Sequence, residues 1–143
     1  MRIALIVGIN HYEHGGSLYG CVDDAHAVQA VLARHGDGSV NFDCKMFTGT
    51  GPTDRVDRAL LKDRVEELFK AQADIALFYF AGHGHIEATG GYLLATDSRR
   101  GDEGLSLSEV LTVANRSPAR NKIIILDSCH SGIAGTPPAA GEL

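Results

Sequence analysis

Three runs of apolar and β-branched residues dominate this sequence: Arg2 to Ile9, Asp74 to Phe80 (DIALFYF) and Asn121 to Asp127 (NKIIILD). None of them alternates with polar residues, so each reads as a strand covered on both faces, and such strands belong to parallel sheets clad by helices. The intervening segments carry the helical pattern. From Asp23 to His35, Ala25, Val28, Val31 and Leu32 recur at helical spacing and Gly36 supplies a stop. Thr53 is placed to cap a second helix through Ala71, with Val56, Leu60, Leu61, Val65, Leu68 and Phe69 as its stripe and Glu66, Glu67 and Lys70 outside. Asn41 to Thr48 sets Phe42, Cys44 and Met46 against Asp43, Lys45 and Phe47, as a strand would, and Gly49 to Pro52 breaks it. Tyr92 to Ala95, after Gly90-Gly91, reads as a short strand or hairpin arm. Ser106 and Glu109 resemble a capping box opening a helix to about Asn115. The order β-α-β-α-β-α-β predicts an α/β domain, a three-layer sandwich whose central sheet is mainly parallel and flanked by helices on both faces.

The 143 residues suit one domain. Lys plus Arg number 13 against 18 Asp plus Glu, a net charge of −5 that weighs against nucleic acid as a partner. Ile3 to Ile9 is too short to span a bilayer, for which ~20 apolar residues are needed, and no small-residue cleavage site follows it. The expectation is a cytoplasmic protein with no membrane partner. Three widely spaced cysteines (Cys21, Cys44, Cys129) argue against a disulfide framework and leave thiols for chemistry. The turn at Gly49 to Pro52 lacks the Gly-Lys-Ser/Thr ending of a phosphate loop.

In parallel sheets the reactive residues lie at the carboxyl ends of the strands. One strand leaves as Phe80-Ala81-Gly82-His83-Gly84-His85 and another as Leu126-Asp127-Ser128-Cys129-His130. If those strands are neighbours, His83 and Cys129 emerge on the same edge as base and nucleophile. An adjacent imidazolium lowers a thiol's pKa and makes the thiolate available near neutral pH. The glycines around His83 leave room for a substrate backbone, and the amides of Gly84 and Cys129 are the candidate oxyanion hole. Cys44, midway along a strand, reads as inert core. His11, His14, His26 and His35 have no informative spacing.

Tyr79-Phe-Ala-Gly-His-Gly84, Asp127-Ser-Cys-His-Ser-Gly132 and Gly20-Cys-Val-Asp-Asp-Ala25 together resemble the caspase-like cysteine peptidases, nearest to metacaspases and bacterial caspase homologues. The 46-residue interval from His83 to Cys129 fits the ~50 expected of that clan. The resemblance implies a caspase-like sandwich in which residues 1–143 form a large-subunit-like portion, with 134–143 as flexible tail or inter-subunit linker. It implies that His83 and Cys129 form the catalytic dyad. It also implies that Asp24 and Asp127, with Cys21 beside them, line the pocket for the residue before the scissile bond. Two carboxylates there favour Arg or Lys. Leu18 falls roughly where animal caspases carry a pocket arginine, and Ala81 replaces the serine usual in metacaspases. The implied partners are a protein or peptide substrate and a missing small-subunit-like segment. No cofactor is required for the chemistry, and calcium stimulation is implied with its ligands unassigned. The implied biology is regulated cell death or a defence or stress response.

Two other readings compete. A zinc-dependent hydrolase would use the His83-Gly84-His85 pair with Asp127, Cys129 and His130 as further ligands. A catalytically silent module would use the same fold as an interaction scaffold.

Overall fold

The apolar runs of the sequence assemble side by side. A computed structural model of the chain describes residues 1–129, Cys129 through its backbone alone. The elements are β1 (Arg2–Ile9), α1 (Cys21–Ala33), β2 (Asp43–Gly49), α2 (Arg58–Lys70), β3 (Ile75–Glu87), β4 (Gly90–Leu93), β5 (Leu105–Ser106), α3 (Leu107–Asn115) and β6 (Asn121–Cys129), with a 3-10 turn at Gly101–Glu103. His130, Ser131, Gly132 and the tail expected at 134–143 lie outside the described residues.

β1 pairs in parallel with both β2 and β3. β6 also pairs in parallel with β3, and because Ile75 to Ala81 bond β1 and β6 at the same rungs, β3 is the central strand of the order β2-β1-β3-β6. Beyond His83, β3 changes partner. Gly84 to Glu87 pair antiparallel with β4, and β4 pairs antiparallel with β5, so the sheet is mixed at this end.

Period-two alternation along the buried strands divides the core into two layers. Leu77, Tyr79 and Ala81 of β3 face α1, packing with Ala4, Ile6 and Ala25. Ala76, Phe78 and Phe80 face α2 and α3, among Leu61, Val65, Phe69 and Val110. Phe78 and Phe80 are fully buried, each contributing about 1.5–3 kcal/mol of hydrophobic stabilisation. Helices on both faces of a mainly parallel sheet complete the expected three-layer sandwich. Gly8 sets the approach of α1: a Cβ there would stand 2.6 Å from the Cys21 carbonyl oxygen and 2.8 Å from the Ala25 Cβ. The amino end of α1 therefore rests directly on β1.

Five sequence expectations shift. Helix α1 begins at Cys21 instead of Asp23, because the Asn10 side chain reaches back to cap it, and Val31 is 74% exposed instead of facing the sheet. Thr53 caps nothing, and α2 starts at Arg58. Val56 is buried as expected but lies outside the helix: its N–H donates to Thr96 Oγ1 at 3.0 Å and its carbonyl accepts from the Thr96 N–H at 2.9 Å, which holds the segment extended. Strand β3 runs seven residues past Phe80 to Glu87, since β4 supplies a ladder that the glycines do not interrupt. The helix expected after Ser106 is present, and Ser106 Oγ accepts from the Glu109 N–H.

On β6, Ile124 and Leu126 pack against the α2 and α3 layer, whereas Ile123 and Ile125 are 38% and 44% exposed. Among the described residues, no helix is long and apolar enough to cross a membrane.

Candidate active site

The β3–β6 ladder ends at the rung His83↔Cys129, with Ala81↔Asp127 and Gly82↔Ser128 before it. Neighbouring strands lie ~4.8 Å apart, so the two backbones are brought as close as a sheet allows. The sequence predicts these residues beyond the strand ends; they are the last members of the parallel ladder instead.

His83 is held on three sides. It is 8% exposed, its Nε2 lies 2.7 Å from the Gly16 carbonyl oxygen, and its ring meets the Tyr12 ring at a centroid distance of 4.6 Å. Its backbone N–H donates to Tyr12 Oη at 2.8 Å. A carbonyl oxygen can only accept, so Nε2 carries a proton and, in the neutral ring, Nδ1 carries the lone pair. The loop from Asn10 to Gly20 supplies both Tyr12 and Gly16. It is pinned by Glu13 N–H to Thr96 O (3.0 Å), by Leu18 N–H to Asn10 O (2.8 Å), and by the pairing of Arg55 with Glu13 and Asp57.

The expectation at Gly82 is cleared space for a substrate backbone. The structure assigns it another duty: a Cβ at Gly82 would lie 2.5 Å from Tyr12 Oη and 2.9 Å from a ring carbon of Phe80. Its missing side chain is what lets the tyrosine hydroxyl reach the His83 amide. Gly84 sits one residue past His83, opposite Leu93 in the β3–β4 ladder.

The other predicted site residues gather around Tyr79. Tyr79 Oη donates to Asp127 Oδ2 at 3.2 Å. Burial first, and then the neighbouring charge of Asp127, push the Tyr79 hydroxyl above its ordinary range, with smaller contributions from Asp24 and Cys21. Asp127 thus bonds the hydroxyl, and Cys21 and Asp24 at the start of α1 lie near enough for their charge to bear on it. Asp24 and Asp127 are exposed and Cys21 half-buried. Asn10 Oδ1 fixes this end of α1 by accepting from the Cys21 and Val22 amides at 3.0 and 3.2 Å. Ala81, fully buried opposite Gly8 and Asp127, joins the apolar layer beneath.

Of the ligands the zinc reading calls on, the Cys129 side chain and His130 lie outside the described residues. His85 Nε2 lies 3.0 Å from Glu87 Oε2, His83 Nε2 is taken by Gly16, and no group of three or more His, Cys, Asp or Glu side chains able to hold a metal occurs among the described residues. Cys44 is half-buried, and burial, followed by the charge of Asp43, pushes its thiol up, which disfavours the thiolate.

Sequence reasoning did not find Tyr12, Gly16, Tyr79 or Asn10. Asn10 and Tyr12 follow directly on a buried strand, the usual place for site residues in such sheets. Tyr79 is a polar-tipped residue within an otherwise apolar run. The Gly16 carbonyl has no side-chain signature at all.

The Caspase domain family model matches residues 1–141. Metacaspase-1A of Neurospora crassa is 28% identical over 159 aligned residues, covering 92% of this chain and 32% of its own length. Metacaspase-9 of Arabidopsis thaliana is 29% identical over 89 residues, covering 58% of this chain and 27% of its own. The chain therefore spans about a third of the length of the curated relatives it matches. Matched along nearly all its length, and built as a mixed-sheet α/β sandwich, this chain belongs to the caspase domain family.

Proposed function

We propose that this chain is the catalytic portion of a cysteine endopeptidase in which Cys129 is the nucleophile and His83 the general acid and base. The observation that carries this reading is the direct register of His83 with Cys129 at the end of the β3–β6 ladder. The Gly16 carbonyl directs the His83 proton to Nε2, leaving Nδ1 as the atom that takes the thiol proton. The thiolate then adds to the scissile carbonyl carbon, and the amides of Gly84 and Cys129 receive the developing oxyanion. His83 returns the proton to the leaving amine as the C–N bond breaks, and water hydrolyses the resulting thioester.

The cluster of Asp24, Asp127 and Cys21 at Tyr79 supports a pocket for Arg or Lys before the cut. The exposed Ile123 and Ile125 support a further segment of the protein, the small-subunit-like partner, packing on that face of β6. Calcium stimulation, a cytoplasmic location and a role in cell death, stress or defence belong to the same proposal. Among the described residues no carboxylate cluster fits calcium, and no step above goes through the ion.

In the full-length protein, Cys129→Ala should abolish both cleavage of a fluorogenic peptide panel and labelling by a thiol-directed peptidyl inhibitor, with the circular dichroism spectrum unchanged. Retained cleavage would sink the dyad. The wild-type panel should favour Arg or Lys before the cut, and a preference for Leu or Asp would refute the acidic pocket.

A further inference from the structure

A hollow of about 450 Å³ opens at His83, which lines it with His14, Gly16, Leu18, Ser98, Arg99 and Arg100 among others, and among the described residues no Asp or Glu lines it. Its basic wall is built rather than loose. The Ser98 hydroxyl and amide bond the backbone of Ala95 at 3.0 and 3.1 Å, and Glu103 Oε1 accepts the Arg99 and Arg100 amides at 2.8 and 3.3 Å. Gly101 closes on His85 so tightly that a Cβ would enter the imidazole ring. Arg100 is paired with Asp102 at 2.9 Å. Arg99 is exposed, and its guanidinium makes no ion pair or hydrogen bond among the described residues.

The two charged regions lie to either side of His83. Asp127, which accepts the Tyr79 hydroxyl, stands on the Ala81 rung two residues back along the β3–β6 ladder, about 7 Å at ~3.3 Å per residue. The arginine wall stands on the other side, packed against His85, two residues ahead. The acidic region takes the acyl side of the substrate in the reading above, and His83 must protonate the leaving amine. The departing peptide therefore leaves past His83 toward the arginines.

We propose that this hollow is the subsite for the residues that follow the scissile bond, and that Arg99 makes it select a carboxylate side chain, Asp or Glu. The preferred substrate then carries a basic residue before the cut and acidic residues after it, matching the opposite charges across the dyad. This rests on His83 and Cys129 being the catalytic pair.

The test uses internally quenched peptides built on the best-cleaved sequence of the panel, identical except that the two residues after the cut are both Glu, both Gln or both Lys. For the full-length protein, kcat/KM should fall in that order, with Glu above Lys by about threefold to fivefold, as an exposed ion pair supplies. Arg99→Lys should keep the order, Arg99→Glu should reverse it, and 0.5 M salt should flatten it by screening. Equal kcat/KM for the three wild-type peptides, or an unchanged order in Arg99→Glu, overturns the subsite while leaving the peptidase reading standing. Failure to cleave any panel peptide overturns the peptidase reading and the subsite with it.

Discussion

Replacing Gly82 by alanine puts a methyl group where the Tyr12 hydroxyl now lies. The new Cβ would be 2.5 Å from Tyr12 Oη and 2.9 Å from the Phe80 ring, and real Cβ contacts at those distances do not occur, so something must move. Phe80 is fully buried and cannot swing away. The tyrosine, 4% exposed, is the group that must give, and with it goes the 2.8 Å bond from the His83 amide. Overpacking of this kind costs about 1–3 kcal/mol. Stranding a buried N–H costs about 1–3 kcal/mol more. The backbone at Gly82 does not have a positive φ, so alanine is not penalised there by conformation. The lower entropy of the unfolded chain returns roughly 0.4–1 kcal/mol. A net loss of about 1–5 kcal/mol follows. Tyr12→Phe alone, which removes the hydroxyl but keeps the ring on His83, should cost about 1–3 kcal/mol. Because the phenylalanine vacates the space that the new methyl needs, the double variant should be more stable than the sum of the two losses predicts by at least ~1 kcal/mol. Urea denaturation of the four proteins, read as midpoints at constant m, closes the cycle. Losses that add within ~0.5 kcal/mol would refute the claim that Gly82 exists to admit Tyr12.

Two further outcomes follow from the loop that holds His83. Asn10→Ala removes the acceptor of the Cys21 and Val22 amides and should lower stability by about 0.5–2 kcal/mol in the same urea assay; no change would show that the helix start does not depend on this cap. The Arg55 guanidinium holds the Glu13 carboxyl below its ordinary 4.5, so the pair stabilises the fold above pH 4.5 and the increment is lost as pH falls through the lowered value. The stability gap between wild type and Arg55→Gln should therefore be full at pH 6–7 and shrink below pH 4.5, and a gap constant down to pH 3 would refute the linkage.

The parallel sheet was legible because a strand covered on both faces must be apolar at every position, a one-dimensional signal that Ile3 to Ile9 and Ile75 to Phe80 carry; Ile123 to Leu126 carries it too, yet among the described residues β6 pairs only with β3 and leaves Ile123 and Ile125 exposed. The helix after Ser106 was equally legible, since its cap is made by residues three apart. Where α1 and α2 begin was not. Asn10 caps α1 from eleven residues away, and Thr96 keeps Val56 out of α2 from forty residues away. Local propensity contains no trace of partners so distant.

The same division runs through the candidate site. By itself the sequence determined the reactive side chains available, their order, and that strands would deliver His83 and Cys129 to one end of a sheet. The tertiary structure decided the rest. It put the two on a single rung, drew Asp24, Asp127 and Cys21 around Tyr79, and made the Gly16 carbonyl choose which imidazole nitrogen holds the proton. Side-chain chemistry is a property of residues, but tautomers, charge neighbours and close approaches are properties of space, and these residues share that space only once the strands have paired.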